Sequence, residues 1–368
     1  RAVGDDRAWN ALIERPIGET IAERIDDDLV RGVALTDALI GTFVPNVDES
    51  LAGNRCFLVH VIGGGTGDWD VPIGGMGAVT GELRRAALAA GARILTGADV
   101  TAITPDGEVT FTEGDTEHRI VGDRVLAGCS RLELSRLLGE APPAGTDSPA
   151  ALGAQVKTNL LLSRLPRLRD SSLDPAAAFG GTFHINETWS QLDSAFRAAA
   201  GGAVPDPLPC EIYCHSLTDP SILGPELQGS GAQTLTVFGL HAPHSLTVGR
   251  DADAVRAQLQ AAVLASLNSV LAEPIEPLLL RDGLGRPTVE TKTTADLVQA
   301  LRLPGGSIFH GALDWPFAED GDELATPAQQ WGVATAHDRI LLAGSSSQRG
   351  GGVSGLGGHS AAMAVLAQ

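Results

Sequence analysis

The stretch Asp338 to Gln368, DRILLAGSSSQRGGGVSGLGGHSAAMAVLAQ, sets a glycine-rich loop between an apolar run and an alanine-rich segment. Residues 340–343 form a short apolar run that is typical of a buried strand. The alanine-rich segment after the loop contains no proline, which favours a helix. A strand, a glycine loop and a helix start direct free backbone N–H groups towards an anion or an electron-rich ring. We therefore expect a ligand against this backbone rather than a flexible glycine tail.

Two familiar motifs match this loop only in part. Gly350, Gly352 and Gly355 fit the spacing GxGxxG, but a dinucleotide fingerprint begins at the end of its strand and has an acidic residue about 20 positions later. Five residues separate Gly344 from Gly350, and the sequence ends thirteen residues after Gly355. The nucleophile elbow GxSxG of hydrolases fails at Ser354, because its last glycine is displaced. Both interpretations are rejected.

Composition excludes several classes of function. The 368 residues are 43% hydrophobic, which is enough for one large core or two moderate ones. A formal charge of -19 argues against nucleic acid and anionic membrane surfaces as partners, because both require clustered basic residues. Lys157 and Lys292 are the only lysines among the 26 basic residues. The bias towards arginine, alanine and glycine indicates a bacterial source.

The cysteines favour a reduced, cytoplasmic protein. Cys56, Cys129, Cys210 and Cys214 are too few and too scattered for a disulfide framework. The spacing of Cys210, Cys214 and the adjacent His215 suggests a metal site. No second Cys/His pair has zinc-like spacing, so no metal is predicted. No apolar run reaches the ~18 residues of a membrane-spanning helix, and no signal peptide is recognised.

A second glycine cluster lies in WDVPIGGMGAVTGELRRAALAAGARI. Gly74, Gly75 and Gly77 precede a predicted helix, and Gly91 is placed to end it as a C-cap glycine. Short strands are then predicted over RILTG, VTAIT, EVTFTE, HRIVG and RVLAG, with turn residues between the middle ones. The pattern predicts a helix that leads into a parallel strand and a β-meander.

The remaining chain predicts an α/β protein with an α+β region. Residues 9–43 have helical spacing of apolar residues. Strands of an antiparallel sheet are predicted over VKTNLLLSRLP, CEIYCHSL and TLTVFGLHAP, and an amphipathic helix over DADAVRAQLQAAVLASLNSVL. We expect a helical part of a substrate domain at 1–66, a cofactor-domain segment at 67–140, the rest of the substrate domain at 141–325, and a second cofactor-domain segment at 326–368.

Four segments together resemble a known family. They are WDVPIGGMGAVTGELRRAALAAGARILTGADVTAI, GTFHINE, GGSIFHGAL and GSSSQRGGGVSGLGGHSAA. In order and spacing they resemble the FAD-dependent phytoene desaturase and amine oxidase superfamily, in the branch of pyridine nucleotide-disulfide oxidoreductase domain-containing protein 2. The resemblance implies a flavoprotein whose Rossmann-like FAD domain is built from discontinuous stretches. The family begins with a βαβ unit carrying the GxGxxG fingerprint, and this sequence has none, which predicts an N-terminally truncated fragment with an incomplete FAD domain.

The resemblance also implies where FAD lies. The backbone of Val100 is expected near the adenine. The closing loop and the following helix are expected to face the pyrimidine edge of the flavin. The implied cofactor-binding residues are Gly74, Gly75, Met76, Gly77, Val100, Gly344, Gly350, Gly351, Gly352, Val353, Gly358, His359 and Ala361.

Catalytic candidates are fewer, because the flavin itself carries hydride transfer at N5. His310 in SIFHGAL is the best side-chain candidate, although a histidine beside Ile308 and Phe309 is also typical of a core. Gln348 is the second candidate. Gln348 and Arg349 occupy the two positions at which related sequences have His-Pro. His184, His241 and Trp315 rank below them.

The predicted function is FAD-dependent hydride transfer between flavin N5 and an apolar or small organic substrate. A carotenoid desaturase or isomerase is one alternative, although Arg349 adds a charge that a polyene would not favour. A non-catalytic ligand- or partner-binding module that has lost FAD is another. An amine oxidase would favour an aromatic cage, and aromatic residues make up only 4% of the chain. The oligomeric state is not predicted.

Overall fold

The computed structural model describes residues 4–62, 72–348 and 355–367. The helices are α1 Asp6–Trp9, α2 Ile17–Arg24, α3 Asp28–Leu35, α4 Ala52–Ile62, α5 Gly75–Ala89, α6 Arg131–Leu138, α7 Pro175–Ala178, α8 Trp189–Ala200, α9 His215–Thr218, α10 Ala252–Val270, α11 Thr294–Leu301, α12 Pro327–Gln330 and α13 Leu356–Leu366. The strands are β1 Ala98–Ile103, β2 Glu108–Glu113, β3 Thr116–Val121, β4 Val125–Ala127, β5 Val156–Leu162, β6 Phe183–Ile185, β7 Cys210–Tyr213, β8 Gln233–Gly239, β9 Val289–Lys292 and β10 Ile340–Leu342.

The chain divides into two compact units, each built from two stretches of sequence. Unit 1 comprises Arg1–Arg93 and Ala154–Ala295, and unit 2 comprises Ile94–Gly153 and Asp296–Gln368. The unit boundaries fall at other residues than the predicted domain boundaries, and α5 groups with unit 1. The assignment of segments to a cofactor and a substrate domain stays a prediction.

A five-stranded sheet forms the centre of unit 1. Its strand order is β6-β7-β8-β5-β9 and all neighbours are antiparallel, which confirms the predicted antiparallel strands. Burial alternates along β5 and β8, because successive side chains point to opposite faces. The apolar face packs on α10, the predicted amphipathic helix. Their shared core includes Leu160, Leu162, Ile212, Leu235, Val237, Val255, Leu259, Val263 and Leu267.

The predicted helices of residues 9–43 are present, and one of them, α3, is fitted closely against the start of α8. A Cβ atom at Gly32 of α3 would overlap the carbonyl oxygen of Glu187, just before α8. Only glycine allows this approach. The side chain of Thr188 begins α8 with a capping box closed by Gln191. The contact with Gly32 and the capped start of α8 therefore fix the backbone of Glu187.

Unit 2 contains the predicted β-meander, in which β1, β2 and β3 are antiparallel neighbours. It also contains a parallel pair, β4 with β10. The predicted closing strand is confirmed as β10, and the predicted helix is confirmed as α13. Ile340 and Leu342 pack beside α6, whereas Leu341 packs with Ala361 and Ala364 of α13. The strand is apolar throughout because it is buried on both faces.

The strand predicted over residues 93–97 is wrong. Residues 92–95 have no regular structure, and no strand of the described residues pairs with them. Ile94 and Leu95 are 43% and 51% exposed. An apolar run forms a strand only where a neighbouring strand accepts its hydrogen bonds.

The second glycine cluster does lead into a helix. The helix α5 begins at Gly75, so Gly75 and Gly77, which were predicted to precede the helix, lie in its first turn. The predicted end is confirmed, since Gly91 follows the helix with a φ of +88°. The helix nevertheless has no buried residue among those described, and Leu83 is 66% exposed.

Within residues 4–62, 72–348 and 355–367, no helix combines the length and the apolar character needed to cross a bilayer.

Candidate functional site

The face of the five-stranded sheet opposite α10 carries polar and aromatic side chains. Cross-strand pairing places His184, Glu211, Phe238 and Lys157 side by side on β6, β7, β8 and β5. The Nζ atom of Lys157 lies 5.6 Å from the ring centroid of Phe238. A neighbouring row on the same face holds Tyr213, Thr236, Asn159 and Glu290. These two rows are named the polar sheet face.

A cavity of about 770 Å³ lies on the polar sheet face, entirely within unit 1. Its volume is within the range of small-molecule sites, roughly 300 to 1,000 Å³. Polar side chains of the sheet face and of α9 contribute to it, and apolar side chains form much of the rest. The polar contributors are Asn159, His215, Thr234 and Thr236, and the apolar ones include Leu161, Ile222, Leu223, Leu227, Pro287 and Val289.

The polar contributors provide hydrogen bonds without net charge. The hydroxyl of Thr236 donates to Asn159 Oδ1 at 3.1 Å. Burial, and then the charge of Lys157, lower the pKa of His215, so its imidazole is neutral at pH 7.

The charged residues that the structure describes around this cavity are paired within the protein. Arg286 lies 2.8 Å from Asp282, and Glu290 lies 3.2 Å from Lys292. A bound ligand would therefore meet hydrogen-bonding groups and already neutralised ion pairs.

The start of α5 is attached to the wall of this cavity. Gly74 has a φ of +84°, and its N–H donates to Asp219 Oδ2 at 2.6 Å. Asp219 Oδ1 accepts from the backbone N–H of Ser221 at 3.0 Å. Hydrogen bonds from the Ser221 side chain, then from the N–H of Gly74 and the N–H of Ser221, lower the pKa of the carboxyl. The position of a Cβ on Gly75 lies 3.7 Å from Ile222, which lines the cavity. The GGMG segment and the cavity are thus neighbours within unit 1.

Both glycine-led helices begin without a side-chain cap. Gly74 precedes α5 and Gly355 precedes α13, each in the left-handed region, and neither start has a side-chain cap hydrogen bond. By contrast, Ser130, Thr188 and Asp251 cap α6, α8 and α10 with their side chains. The N–H of Gly75 donates to the carbonyl oxygen of Pro72 at 2.8 Å. The next N–H groups of α5 receive no side-chain cap, and a helix start of this kind suits an anion or an electron-rich ring.

The other predicted cofactor residues of α5 are accessible. Among the described residues, and apart from the backbone of its own helix, no atom lies within 4 Å of the position that a Cβ of Gly77 would take. Met76 is 56% exposed. In unit 2, Val100 is half-buried, pairs with Phe111 and is followed by a β-bulge.

The closing loop gives a mixed result. A Cβ at Gly344 would lie 2.5 Å from the carbonyl oxygen of Gly128, and Ala361 is completely buried, so packing accounts for both residues. Gly358 and His359 are exposed on α13. The predicted residues Gly350, Gly351, Gly352 and Val353, together with Arg349, lie outside the described residues. The roles of all these residues in binding FAD stay predictions.

His310 and Gln348 do not share a cavity. His310 has a φ of +62°, burial lowers its pKa, and its buried Nδ1 has no partner among the described residues. It lines a cavity of about 230 Å³ with Arg131, whose guanidinium lies 3.0 Å from Asp314. Gln348 lines a different cavity of about 390 Å³, and its Nε2 donates to the Asp322 carboxylate at 3.2 Å.

A buried acidic cluster on the polar sheet face was not predicted. Glu187 and Glu211 are 1% and 4% exposed. Glu187 pairs with His184 Nδ1, and Glu211 Oε1 accepts a hydrogen bond of 2.6 Å from the hydroxyl of Tyr213. Burial raises the pKa of the Asp37 carboxyl. The negative charge of Asp37 in turn raises the pKa of both His184 and Glu211. The signal in the sequence was a glutamate inside an apolar strand, CEIY.

Comparison of the sequence with known proteins finds relatives over almost the whole chain. No protein-family model matches the chain. Uncharacterized proteins of Mycobacterium tuberculosis and Mycobacterium bovis are 58% identical over 363 residues, which cover 98% of the chain and 66% of those proteins. Pyridine nucleotide-disulfide oxidoreductase domain-containing protein 2 of Mus musculus is 28% identical over 377 residues, covering 96% of the chain and 61% of that protein.

A solved structure shows the same fold. An oxidoreductase from Methanosarcina mazei superposes with a TM-score of 0.53 at 12% identity, covering 98% of the chain and 71% of that structure. The resemblance and the fold class predicted from the sequence are both confirmed. The chain spans just under two thirds of the length of the curated relatives.

Proposed function

We propose that this chain carries the substrate-binding part, and some of the cofactor-binding part, of an FAD-dependent oxidoreductase. The observation that carries the proposal is the attachment of the GGMG turn to the wall of the 770 Å³ cavity through Asp219 and Ile222. A cofactor at the start of α5 would lie beside a ligand in that cavity. The relationship to an oxidoreductase domain-containing protein and the oxidoreductase fold support the reaction class.

The residues at the start of α5 fit a flavin. The uncapped helix start presents backbone N–H groups, and the open side of Gly77 leaves room for a flat ring. We propose that Gly74 to Gly77 of unit 1 contact the cofactor; cofactor contacts by Val100, Gly358 and His359 of unit 2 are a separate proposal. When bound, FAD supplies the hydride-accepting centre. The chain's own residues would orient the substrate and exclude water from it.

The substrate that fits best is a neutral, largely apolar molecule with at least one hydrogen-bonding group. Apolar walls would contribute most of the binding free energy. Asn159, Thr236 and neutral His215 would orient a polar group of the ligand. These polar groups favour such a molecule over the bare hydrocarbon of a carotenoid desaturase.

Flavin binding tests the proposal directly. The chain and the longest product of its gene would be purified with added FAD, and the flavin absorbance of each would be recorded. We expect the preparation that contains the βαβ unit of the family to retain FAD in stoichiometric amount, because that unit clamps the phosphates of the cofactor. A colourless protein in both preparations would overturn the proposal and favour a non-catalytic ligand-binding module.

A matched pair of variants localises the cofactor. Leucine in place of Gly77 fills the open side of the first turn of α5, and we expect it to weaken FAD binding in whichever preparation retains the cofactor. Leucine in place of Ala89 adds a similar exposed side chain in the last turn of the same helix. Equal FAD binding by both variants would show that the cofactor does not lie at the start of α5.

A further inference from the structure

We propose that Tyr213 and Glu211 form a proton relay on the polar sheet face, in which Tyr213 accepts the proton that the substrate loses and passes its own proton to Glu211. The inference rests on the proposed function, because the relay serves an oxidation in the neighbouring cavity. It assigns a role to the acidic cluster that hydride transfer alone does not use.

Tyr213 lies beside the cavity. Its ring stacks on that of His215 with the centroids 5.7 Å apart, and its cross-strand partner is Thr236. Both of these residues line the cavity. The hydroxyl of Tyr213 hydrogen-bonds Glu211 and also Thr182, which is exposed. The phenol therefore links the accessible side of the sheet face to a buried carboxyl.

Glu211 has the capacity to take up a proton. Its Oε2 is buried without a hydrogen-bond partner among the described residues, an arrangement that disfavours the charged form. Burial raises the pKa of the carboxyl to about 7, and the hydrogen bond from Tyr213 only partly opposes this. A group that is half-protonated near neutral pH both accepts and releases a proton efficiently.

Charged groups of both signs surround Glu211. Glu187 and Asp37 add negative charge and raise its pKa further, whereas His184 lowers it. Lys157 lies in the next strand but one and faces Phe238. The net effect favours the protonated form.

Glu187 and His184 act as positioning residues. The close backbone contact with Gly32 fixes Glu187, and the Glu187 carboxylate holds the imidazole of His184 beside Glu211. Burial opposes protonation of His184, but its partner and the neighbouring carboxyls outweigh burial and raise its pKa.

The step balances in atoms and electrons. A bound flavin would supply the acceptor for a hydride from a substrate carbon and would be reduced by two electrons. A proton leaves the neighbouring atom, and the electron pair of that bond forms the new double bond. The oxygen of Tyr213 takes this proton while its own O–H proton moves to Glu211 Oε1. The product carries the double bond, and Glu211 ends as a carboxylic acid that releases its proton to solvent before the next turnover.

The test uses the fact that Tyr213 is the only tyrosine of the chain. Tyrosine labelled with a carbon isotope at Cζ gives one signal, and its chemical shift would be followed between about pH 5 and pH 9. We expect an inflection near pH 7, where Glu211 ionises, and its loss in the Glu211→Gln variant. Glu290→Gln, on the same sheet face, is the control and should keep the inflection.

A signal without an inflection near neutral pH in the wild-type chain would overturn the relay. The titration needs no cofactor, so this result leaves the proposed function standing. If the protein does not bind flavin, the proposed function is wrong, and a coupled titration of Tyr213 and Glu211 would then have no role in an oxidation.

A second measurement addresses the reaction in flavin-loaded protein. Tyr213→Phe and Glu211→Gln are each expected to lower kcat on the order of a hundredfold, the usual contribution of a general base. In the wild type, kcat/KM should rise with pH through about 7, because Glu211 must be ionised to accept the proton. An unchanged rate and pH profile in both variants would show that the proton leaves by another route.

Discussion

A Cβ atom on Gly357 would overlap the carbonyl oxygen of Gly344, so the start of α13 and the end of β10 touch through their backbones. The same Cβ would lie 2.6 Å from the hydroxyl oxygen of Ser347. Two glycines of the closing motif therefore serve packing between a strand and a helix. The neighbouring Gly358 is different, because its Cβ would lie at an ordinary distance of 3.6 Å from Ala343.

Alanine substitutions at these two adjacent glycines should have opposite effects. Gly357→Ala forces the strand and the helix apart and is expected to lower the free energy of unfolding by about 1–3 kcal/mol. Gly358→Ala removes a flexible residue from an exposed helical position and should raise it by about 0.5–1 kcal/mol. Urea denaturation of both variants checks the prediction, and equal destabilisation by the two would contradict the packing described.

Glu211→Gln should alter how stability depends on pH. The folded chain raises the pKa of this carboxyl from its ordinary value of about 4.5 to about 7, so the folded state binds the proton more tightly than the unfolded state. The resulting stabilisation is complete below about pH 4.5 and is lost as the pH rises through 7. Relative to the variant, the wild type should lose about 3 kcal/mol between about pH 4.5 and pH 8.

Urea unfolding of the wild type and of Glu211→Gln at a series of pH values measures this difference. Glu290→Gln is the control, since Glu290 is exposed and pairs with Lys292. A constant difference between wild type and Glu211→Gln at all pH values would show that Glu211 is not perturbed.

His241 should produce the opposite pH dependence. Its imidazole is buried between Phe43 and Phe196, and burial lowers its pKa to about 3. The unfolded chain binds this proton more tightly, so stability is complete above about pH 6.5 and falls as the pH falls towards 3. At about pH 4.5 the wild type should have lost about 2–3 kcal/mol relative to its own value at pH 7 from this group. His241→Phe should not show that component in urea titrations.

The hydrogen bond from Gly74 to Asp219 should hold the start of α5. In Asp219→Ala the acceptor is lost, and we expect faster amide hydrogen exchange in the first turn of α5 and in the turn at Ser221. Asp170→Ala removes a carboxylate that accepts hydrogen bonds from Ser172 in an exposed turn. That control should leave exchange in α5 unchanged. If Asp219→Ala also leaves it unchanged, another contact fixes the helix.

Much of the fold was predictable because burial leaves a pattern in the sequence. The alternation in β5 and β8, the apolar run of β10 and the length of α10 each identified their elements. The strand predicted at residues 93–97 failed because an apolar run carries no record of whether a partner strand lies beside it. The exposure of α5 was missed for the same reason, since amphipathic spacing does not identify what covers the apolar face.

The site divides in the same way. The GGMG motif marked the start of α5 because glycine in a helix start reports a special backbone conformation. The cavity, the polar sheet face and the acidic cluster were not visible, because their members come from separate strands. Glu187 and Glu211 are distant in the sequence, and the pairing of β6 with β7 sets Glu211 beside His184, the ion-pair partner of Glu187.

The sequence by itself identified strands such as β5, β8 and β10, the helix α10, the glycine turn before α5, and the family that the chain resembles. These properties follow from local spacing and residue type. Only the tertiary structure decided that Gly357 packs against Gly344, that the N–H of Gly74 donates to Asp219, and that the hydroxyl of Tyr213 donates to the buried carboxyl of Glu211. Those relationships depend on strand order and register, which bring together side chains whose burial and charge change one another's free energies.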